Sequence, residues 1–151
     1  MSTWWIDEPR VVGSSHPSDA DLRRLYGEGV RAIVCLLDET EQPPRYSVSE
    51  AAQLGYARFC IPVRDFHAPS LTQLQEFVNV VAKAVPNGKV LVHCEGGTGR
   101  TGTMAAAYCI ARGLSAADAI ARVRVARPHA IETDEQRAVL EEFASKALDQ
   151  K

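Results

Sequence analysis

One ten-residue stretch concentrates the groups that could do chemistry: His93-Cys94-Glu95-Gly96-Gly97-Thr98-Gly99-Arg100-Thr101-Gly102. It follows an apolar run, Val90-Leu91-Val92, and opens a helical pattern. The glycines permit backbone dihedrals closed to other residues, so several N–H groups can turn towards one point. The helix start adds unpaired N–H groups and the positive end of a dipole. A loop of this kind, Glu95-Gly96-Gly97-Thr98-Gly99-Arg100, can cradle a phosphate dianion. Arg100 adds a planar fork able to hold two phosphate oxygens. Cys94 stands at the strand end beside the same cradle. The field that attracts phosphate also favours a thiolate, so a lowered thiol pKa is expected. A nucleophile and an oxyanion clamp are thereby built into one segment.

The flanking residues have two readings each. His93 is adjacent to Cys94, but neighbours on a strand point to opposite faces. It is therefore expected to be buried and bonded to nearby backbone, holding the loop in shape, rather than to act as the base. Thr101 can give its hydroxyl to the sulfur or bond local backbone at the helix start. A phenolate or alkoxide leaves poorly unless protonated, and Asp65, in a loop bounded by Pro62 and Pro69, is either that acid or a solvated loop aspartate.

Other chemistries fit less well. Gly97-x-Gly99-x-x-Gly102 spells a dinucleotide-binding turn, but that reading needs a second strand ending in an acidic residue about 20 positions on. Ser115 to Ala126 reads as helix instead. A Walker loop would need a lysine before Thr101. A rhodanese-type sulfurtransferase would not need the Gly-Arg-Thr-Gly helix start or an acid at Asp65. A phosphotyrosine-binding module without activity would be expected to lack Cys94, Arg100 or Asp65, and all three are present.

His93-Cys94, Gly97, Arg100 and Thr101 resemble the signature of the cysteine-dependent protein tyrosine phosphatases, and the chain from about Val30 to Leu140 is similar to their compact dual-specificity branch, of archaeal and atypical type. The resemblance implies a cysteinyl-phosphate mechanism without cofactor or metal, in which Cys94 attacks, Arg100 and the loop bind phosphate, Thr101 supports the sulfur and His93 supports the loop. In the segment Ile61 to Ser70 it implies that Asp65 is the general acid, with Arg64 standing where relatives often have proline. In Arg127 to Gln136 it implies that Gln136 positions water. Thr133-x-x-Gln136 is equally a capping box, and His129 stands where relatives usually have glycine. The expected substrate is phosphotyrosine on a protein or peptide, with phosphoserine and phosphothreonine open. A phosphoinositide or inositol phosphate is the alternative. The loop offers Glu95 and Thr98 and no extra cation, and an acid there disfavours a polyanionic head group. Arg64, His67 and His129 are available to recognise further phosphates.

These groups need a scaffold, and the chain supplies an α/β pattern. Its 151 residues are expected to form one domain (1–151), and its charge, 17 basic against 19 acidic residues, speaks against nucleic acid as partner. No apolar run approaches the ~20 residues that span a bilayer, and Met1 to Trp5 lacks a signal-peptide pattern. A cytoplasmic monomer with no membrane partner is expected. The cysteines Cys35, Cys60, Cys94 and Cys109 form no C-x-x-C pair and lack zinc-ligand spacing. Cys35, Cys60 and Cys109 are expected to be buried as small apolar residues.

Strands are expected at Trp4 to Ile6, Arg10 to Gly13, Ala32 to Leu37, Ala57 to Val63 and Val90 to Val92. Helices are expected after Ser18, Ser47, Ser70, Gly99, Ser115 and Thr133, several with capping residues. The sum is a mostly parallel sheet of four to five strands, flanked by helices, with three consecutive helices closing the chain and a phosphotyrosine phosphatase-like fold implied by the resemblance.

Overall fold

The computed structural model describes residues 1–149. Five strands form one sheet: β1 (Thr3–Asp7), β2 (Val11–Ser14), β3 (Val30–Leu37), β4 (Ala57–Val63) and β5 (Lys89–His93). Their spatial order is β1-β2-β5-β3-β4; β1 and β2 are antiparallel and the other neighbours parallel. The helices are α1 (Asp19–Gly27), α2 (Val48–Leu54), α3 (Leu71–Ala84), α4 (Gly99–Ala111), α5 (Ala116–Ala126) and α6 (Asp134–Asp149). After β5 the described residues hold only helices, so the second strand of a dinucleotide fold is not formed.

Alternation along the central strands divides the core in two. Ala32, Val34 and Leu36 of β3 and Val90 and Val92 of β5 pack with α3, α4, α5 and α6. Ile33 and Leu91, one residue out of phase, face α1 and α2 with Leu22, Leu25 and Ala51. This is the period-2 geometry of a strand buried on both faces, and it explains the uninterrupted apolar runs.

The helix starts follow the capping residues. Ser18 and Ser70 form capping boxes with Asp21 and Gln73, and Ser47 and Ser115 accept from the third residue on. Burial holds for Cys35 and Cys109, but Cys60 is exposed. The reason is position: β4 is the outer strand of the sheet, and only Ile61 and Val63 of its last four residues are covered.

β5 sits between β2 and β3 at the centre. Its C-terminal end, where Cys94 begins the loop to α4, is therefore held on both sides by paired strands. That is the usual place for a ligand in an open α/β sheet.

Candidate active site

A trans peptide points its C=O and its N–H in opposite directions, so the orientation of the loop amides follows from where the carbonyls go. The backbone N–H of His16 donates to the Glu95 carbonyl at 2.9 Å. Arg127 Nη2 donates to the Gly96 carbonyl at 2.9 Å, and Trp4 Nε1 to the Gly97 carbonyl at 3.0 Å. The Thr98 carbonyl accepts from the Gly102 and Ile131 amides at 3.0 and 3.2 Å. With these carbonyls held by the surrounding protein, the amides of Gly96 to Gly99 turn the other way. Gly97 shows the result: its N–H donates to Cys94 Sγ at 3.2 Å. Gly97 itself has φ +77°, and a Cβ there would lie 2.7 Å from the Ser14 backbone, so only glycine fits.

Cys94 is 2% exposed. Thr101, in the first turn of α4, donates its hydroxyl to Sγ at 3.0 Å; of the two bonding patterns open to it, this is the one formed. Two donors, the Gly97 amide and the Thr101 hydroxyl, thus meet on one sulfur.

Arg100 is also 2% exposed and lies across to the acid loop. Nη1 donates to the Val63 carbonyl at 3.0 Å and to Gln42 Oε1 at 2.9 Å, and Nη2 pairs with Asp65 Oδ1 at 3.2 Å. Gln42 Nε2 donates to Asp65 Oδ2 at 3.2 Å. The sequence-nominated Asp65 is thus held by the guanidinium of an arginine in the first turn of α4, where the cradle ends.

His93 is wholly buried. Tyr46 Oη lies 2.8 Å from Nε2, and Nδ1 is 3.2 Å from the Cys94 carbonyl, so Nδ1 carries the proton and Tyr46 donates to Nε2. Burial pushes the His93 pKa down to about 3, against the opposing effect of the Cys94 carbonyl. It stays neutral and bonds backbone; no contact joins it to Sγ.

Gln136 is wholly buried at the start of α6. Its Oε1 accepts from the Glu132 and Thr133 amides at 2.8 and 3.2 Å, while its own N–H donates to Thr133 Oγ1 at 3.0 Å. This completes the capping box. Nε2 donates to the His67 carbonyl at 3.1 Å, and lies 3.3 Å from where a Cβ on Gly99 would stand. Gln136 therefore caps α6 and also borders the cradle and the acid loop.

Several groups of the site carry no signal in the sequence. Glu95 is not an uncompensated acid: Arg45 grips it through two bonds at 2.8 and 3.2 Å, and His16 Nδ1 lies 2.9 Å from Oε2. The Arg45 bonds hold the Glu95 carboxyl below the usual carboxylate range. His16 Nε2 accepts from the Arg45 amide at 3.0 Å, which leaves Nδ1 as the donor to Glu95. Glu132 instead stands at the cradle without a cation among the described residues, accepting from Thr98 Oγ1 at 2.8 Å. Gln42, Arg45, His16, Trp4 and Arg127 reach the site from distant positions, and only tertiary pairing reveals them. Arg64 pairs with Glu41 at 2.6 Å, and His67 Nδ1 is 3.0 Å from the Asp65 carbonyl. No group of three or more His, Cys, Asp or Glu gathers to hold a metal ion among the described residues.

Comparison with known proteins agrees with this geometry. Residues 2–140 match the family model of the Swiss Army Knife protein, DSP-PTPase phosphatase domain. The chain is 34% identical over 146 residues to the phosphatidylglycerophosphate phosphatase PTPMT2 of Arabidopsis thaliana, covering 93% of this chain and 63% of that protein. It is 29% identical over 160 residues to protein tyrosine phosphatase domain-containing protein 1 of Mus musculus, covering 94% of this chain but 21% of that one. The chain thus spans less than two thirds of these relatives. Among solved structures, Tk-PTP in its active form superposes with a TM-score of 0.88 at 38% identity, covering 96% of this chain and 97% of the other. PTPMT1 in complex with PI(5)P gives 0.87 at 26% identity, covering 98% and 97%. The carbonyl-pinned cradle, the cysteine at its base and a family match over nearly the whole chain lead to one conclusion: the chain belongs to the DSP-PTPase phosphatase domain family of the protein tyrosine phosphatase superfamily, in its compact dual-specificity branch.

Proposed function

We propose that the protein hydrolyses phosphotyrosine in proteins or peptides through a cysteinyl-phosphate on Cys94. The observation that carries the reading is the pair of donors, the Gly97 N–H and the Thr101 hydroxyl, that meet on the Cys94 sulfur, with Arg100 of the same helix turn paired to Asp65.

Cys94 Sγ attacks phosphorus in line while the amides of Glu95 to Arg100 and the Arg100 fork hold the equatorial oxygens. The S–P bond forms as the P–O bond to the leaving group breaks, and Asp65 gives its proton to that oxygen. In the second step water attacks phosphorus, Asp65 takes the proton back, and the S–P bond breaks to restore the thiolate, which Thr101 stabilises. Gln136 has an amide N–H to spare beyond its bond to His67, enough to orient that water. Arg100 must release Asp65 to grip phosphate, so substrate binding exchanges one anion for another at the guanidinium.

Two features favour a single phosphate on an aromatic carrier. Phe66 follows the acid directly and is 62% exposed, a ring available to pack on a phenyl group. The Glu132 carboxylate beside Thr98 repels additional negative charge. A phospholipid head group is the second reading. It is supported by the relatives whose names carry phosphatidylglycerophosphate and PI(5)P, and by Arg45, which compensates Glu95 and so removes that residue as an obstacle.

The test is phosphate release from a phosphotyrosine peptide, a phosphoserine peptide, phosphatidylglycerophosphate and a phosphoinositide, with Cys94→Ser as control. The highest kcat/KM on phosphotyrosine, lost in Cys94→Ser, is the expected result. Preference for either lipid transfers the assignment to the second reading, and turnover by Cys94→Ser overturns both.

A further inference from the structure

We propose that Trp4 and Arg127 are positioning residues that fix the phosphate cradle in its anion-binding orientation. The inference rests on the phosphatase reading of the Cys94 loop. A peptide plane turns over through opposite changes in ψ of one residue and φ of the next. Where both are glycine, no Cβ resists that rotation. Gly96–Gly97 is such a peptide, and the following one, Gly97–Thr98, has glycine on one side. These are the peptides whose N–H groups must face the sulfur and the oxyanion. Without an external restraint their orientation is free.

The restraint comes from two side chains. Arg127 holds the Gly96 carbonyl and Trp4 the Gly97 carbonyl. Elsewhere in the loop the Glu95 and Thr98 carbonyls are held by backbone amides. Side-chain pins fall on the two peptides that adjoin Gly97. Turning over the Gly96–Gly97 peptide would break the Arg127 bond and withdraw the Gly97 N–H from Cys94 Sγ.

Both pins are themselves anchored. Trp4 is 7% exposed and lies against β2, where a Cβ on Gly13 would stand 2.8 Å from the indole. Arg127, which closes α5, donates Nη1 to Ser2 Oγ at 2.8 Å. Ser2 is in turn bonded to Ser15 through its amide at 2.8 Å and its carbonyl at 3.0 Å. The beginning of the chain is thereby part of the scaffold of a loop some 90 residues away in sequence.

The experiment measures tungstate affinity by calorimetry on the full chain, alongside the thermal midpoint. Trp4→3-benzothienylalanine keeps the ring and removes the N–H; because it changes no charge, its effect is not one of field. Arg127→Met removes the second pin, and Arg127→Lys keeps the charge and one donor. Tungstate binding weakened about fivefold or more in the first two variants is expected from loss of one orienting hydrogen bond. Arg127→Lys should recover part of the loss, with the thermal midpoint of the benzothienylalanine variant unchanged. Affinity within about fivefold of the unsubstituted protein in both pin variants overturns the proposal. Failure of the unsubstituted protein to bind tungstate overturns instead the phosphatase reading beneath it.

Discussion

Gln42 joins two groups that lie 35 residues apart in sequence, accepting from Arg100 with one end of its amide and donating to Asp65 with the other. Both contacts bear on how the acid sits relative to the phosphate. Gln42→Leu removes both, and kcat on phenyl phosphate is expected to fall about tenfold, the equivalent of about 1.4 kcal/mol. The loss should shrink on p-nitrophenyl phosphate, whose leaving group needs less protonation; an equal loss on both would remove Gln42 from acid positioning. Glu132 acts through charge. Glu132→Gln is expected to raise turnover of a phosphoinositide relative to a phosphotyrosine peptide by a few-fold, more at low than at high salt. An unchanged ratio would show that the Glu132 carboxylate does not select substrate. Glu95, the acid that the sequence singles out, is the poorer target, because Arg45 and His16 already engage it.

The loops carry strain that the strands and helices do not. Phe66, His129 and Ile131 have φ of 63°, 69° and 65°. All three flank residues of the site: Asp65 in one case, the Glu132–Gln136 segment in the others. For a residue with a Cβ this conformation costs roughly 1–2 kcal/mol. The turn is held nonetheless, since Arg124 donates to the Ala130 and Ile131 carbonyls at 2.9 and 3.0 Å and the Ile131 amide binds the Thr98 carbonyl. A Cβ on Gly102 would approach Ala130 to 2.9 Å, so the turn seats directly on the start of α4. His129→Gly relieves one such residue and is expected to raise stability by up to about 1 kcal/mol, read as a higher denaturation midpoint. A lower midpoint would mean that His129 makes a favourable contact which outweighs the strain. The left-handed backbone at this position is one that glycine adopts most readily, and nothing in the structure explains the histidine that stands there. Strands and helix starts were legible in the sequence because each is written locally: Ala32 to Leu37 as an apolar run, Ser18 and Ser70 as caps. The cysteine, arginine and glycines of the cradle are local too. The exposure of Cys60 was not legible, because it depends on β4 falling at the sheet edge, and the Trp4, Arg127 and Gln42 contacts were not, because each depends on chain pairing over dozens of residues.

At the scale of the molecule, the sheet, the helices and the loop meet at His93. It is buried under the cradle, with Tyr46 edge-on at a ring distance of 5.4 Å and His16 tilted against it at 5.5 Å. Folding keeps it neutral with a pKa near 3, whereas the unfolded chain binds a proton near the ordinary histidine value of about 6.5. The unfolded state therefore gains protons first. Stability from this residue is full above about pH 6.5 and is lost as pH falls towards 3, with a slope of up to about 1.4 kcal/mol per pH unit. Glu95, whose carboxyl is depressed by Arg45, adds its own loss as pH falls through the ordinary carboxylate value and below. Chemical denaturation between pH 6.5 and 4.5 should show this decline, and His93→Asn should flatten it; a parallel slope in the variant would assign the decline elsewhere. On the proposed function this assembly holds the Cys94 sulfur against phosphorus, and the most direct measurement is of the bond between them. Acid quench during turnover of p-nitrophenyl phosphate, followed by peptide mass spectrometry, should find one phosphoryl group on the Cys94 peptide, absent in Cys94→Ser and more abundant in Gln136→Ala. Steady turnover with no phosphoryl group on Cys94 would contradict the account.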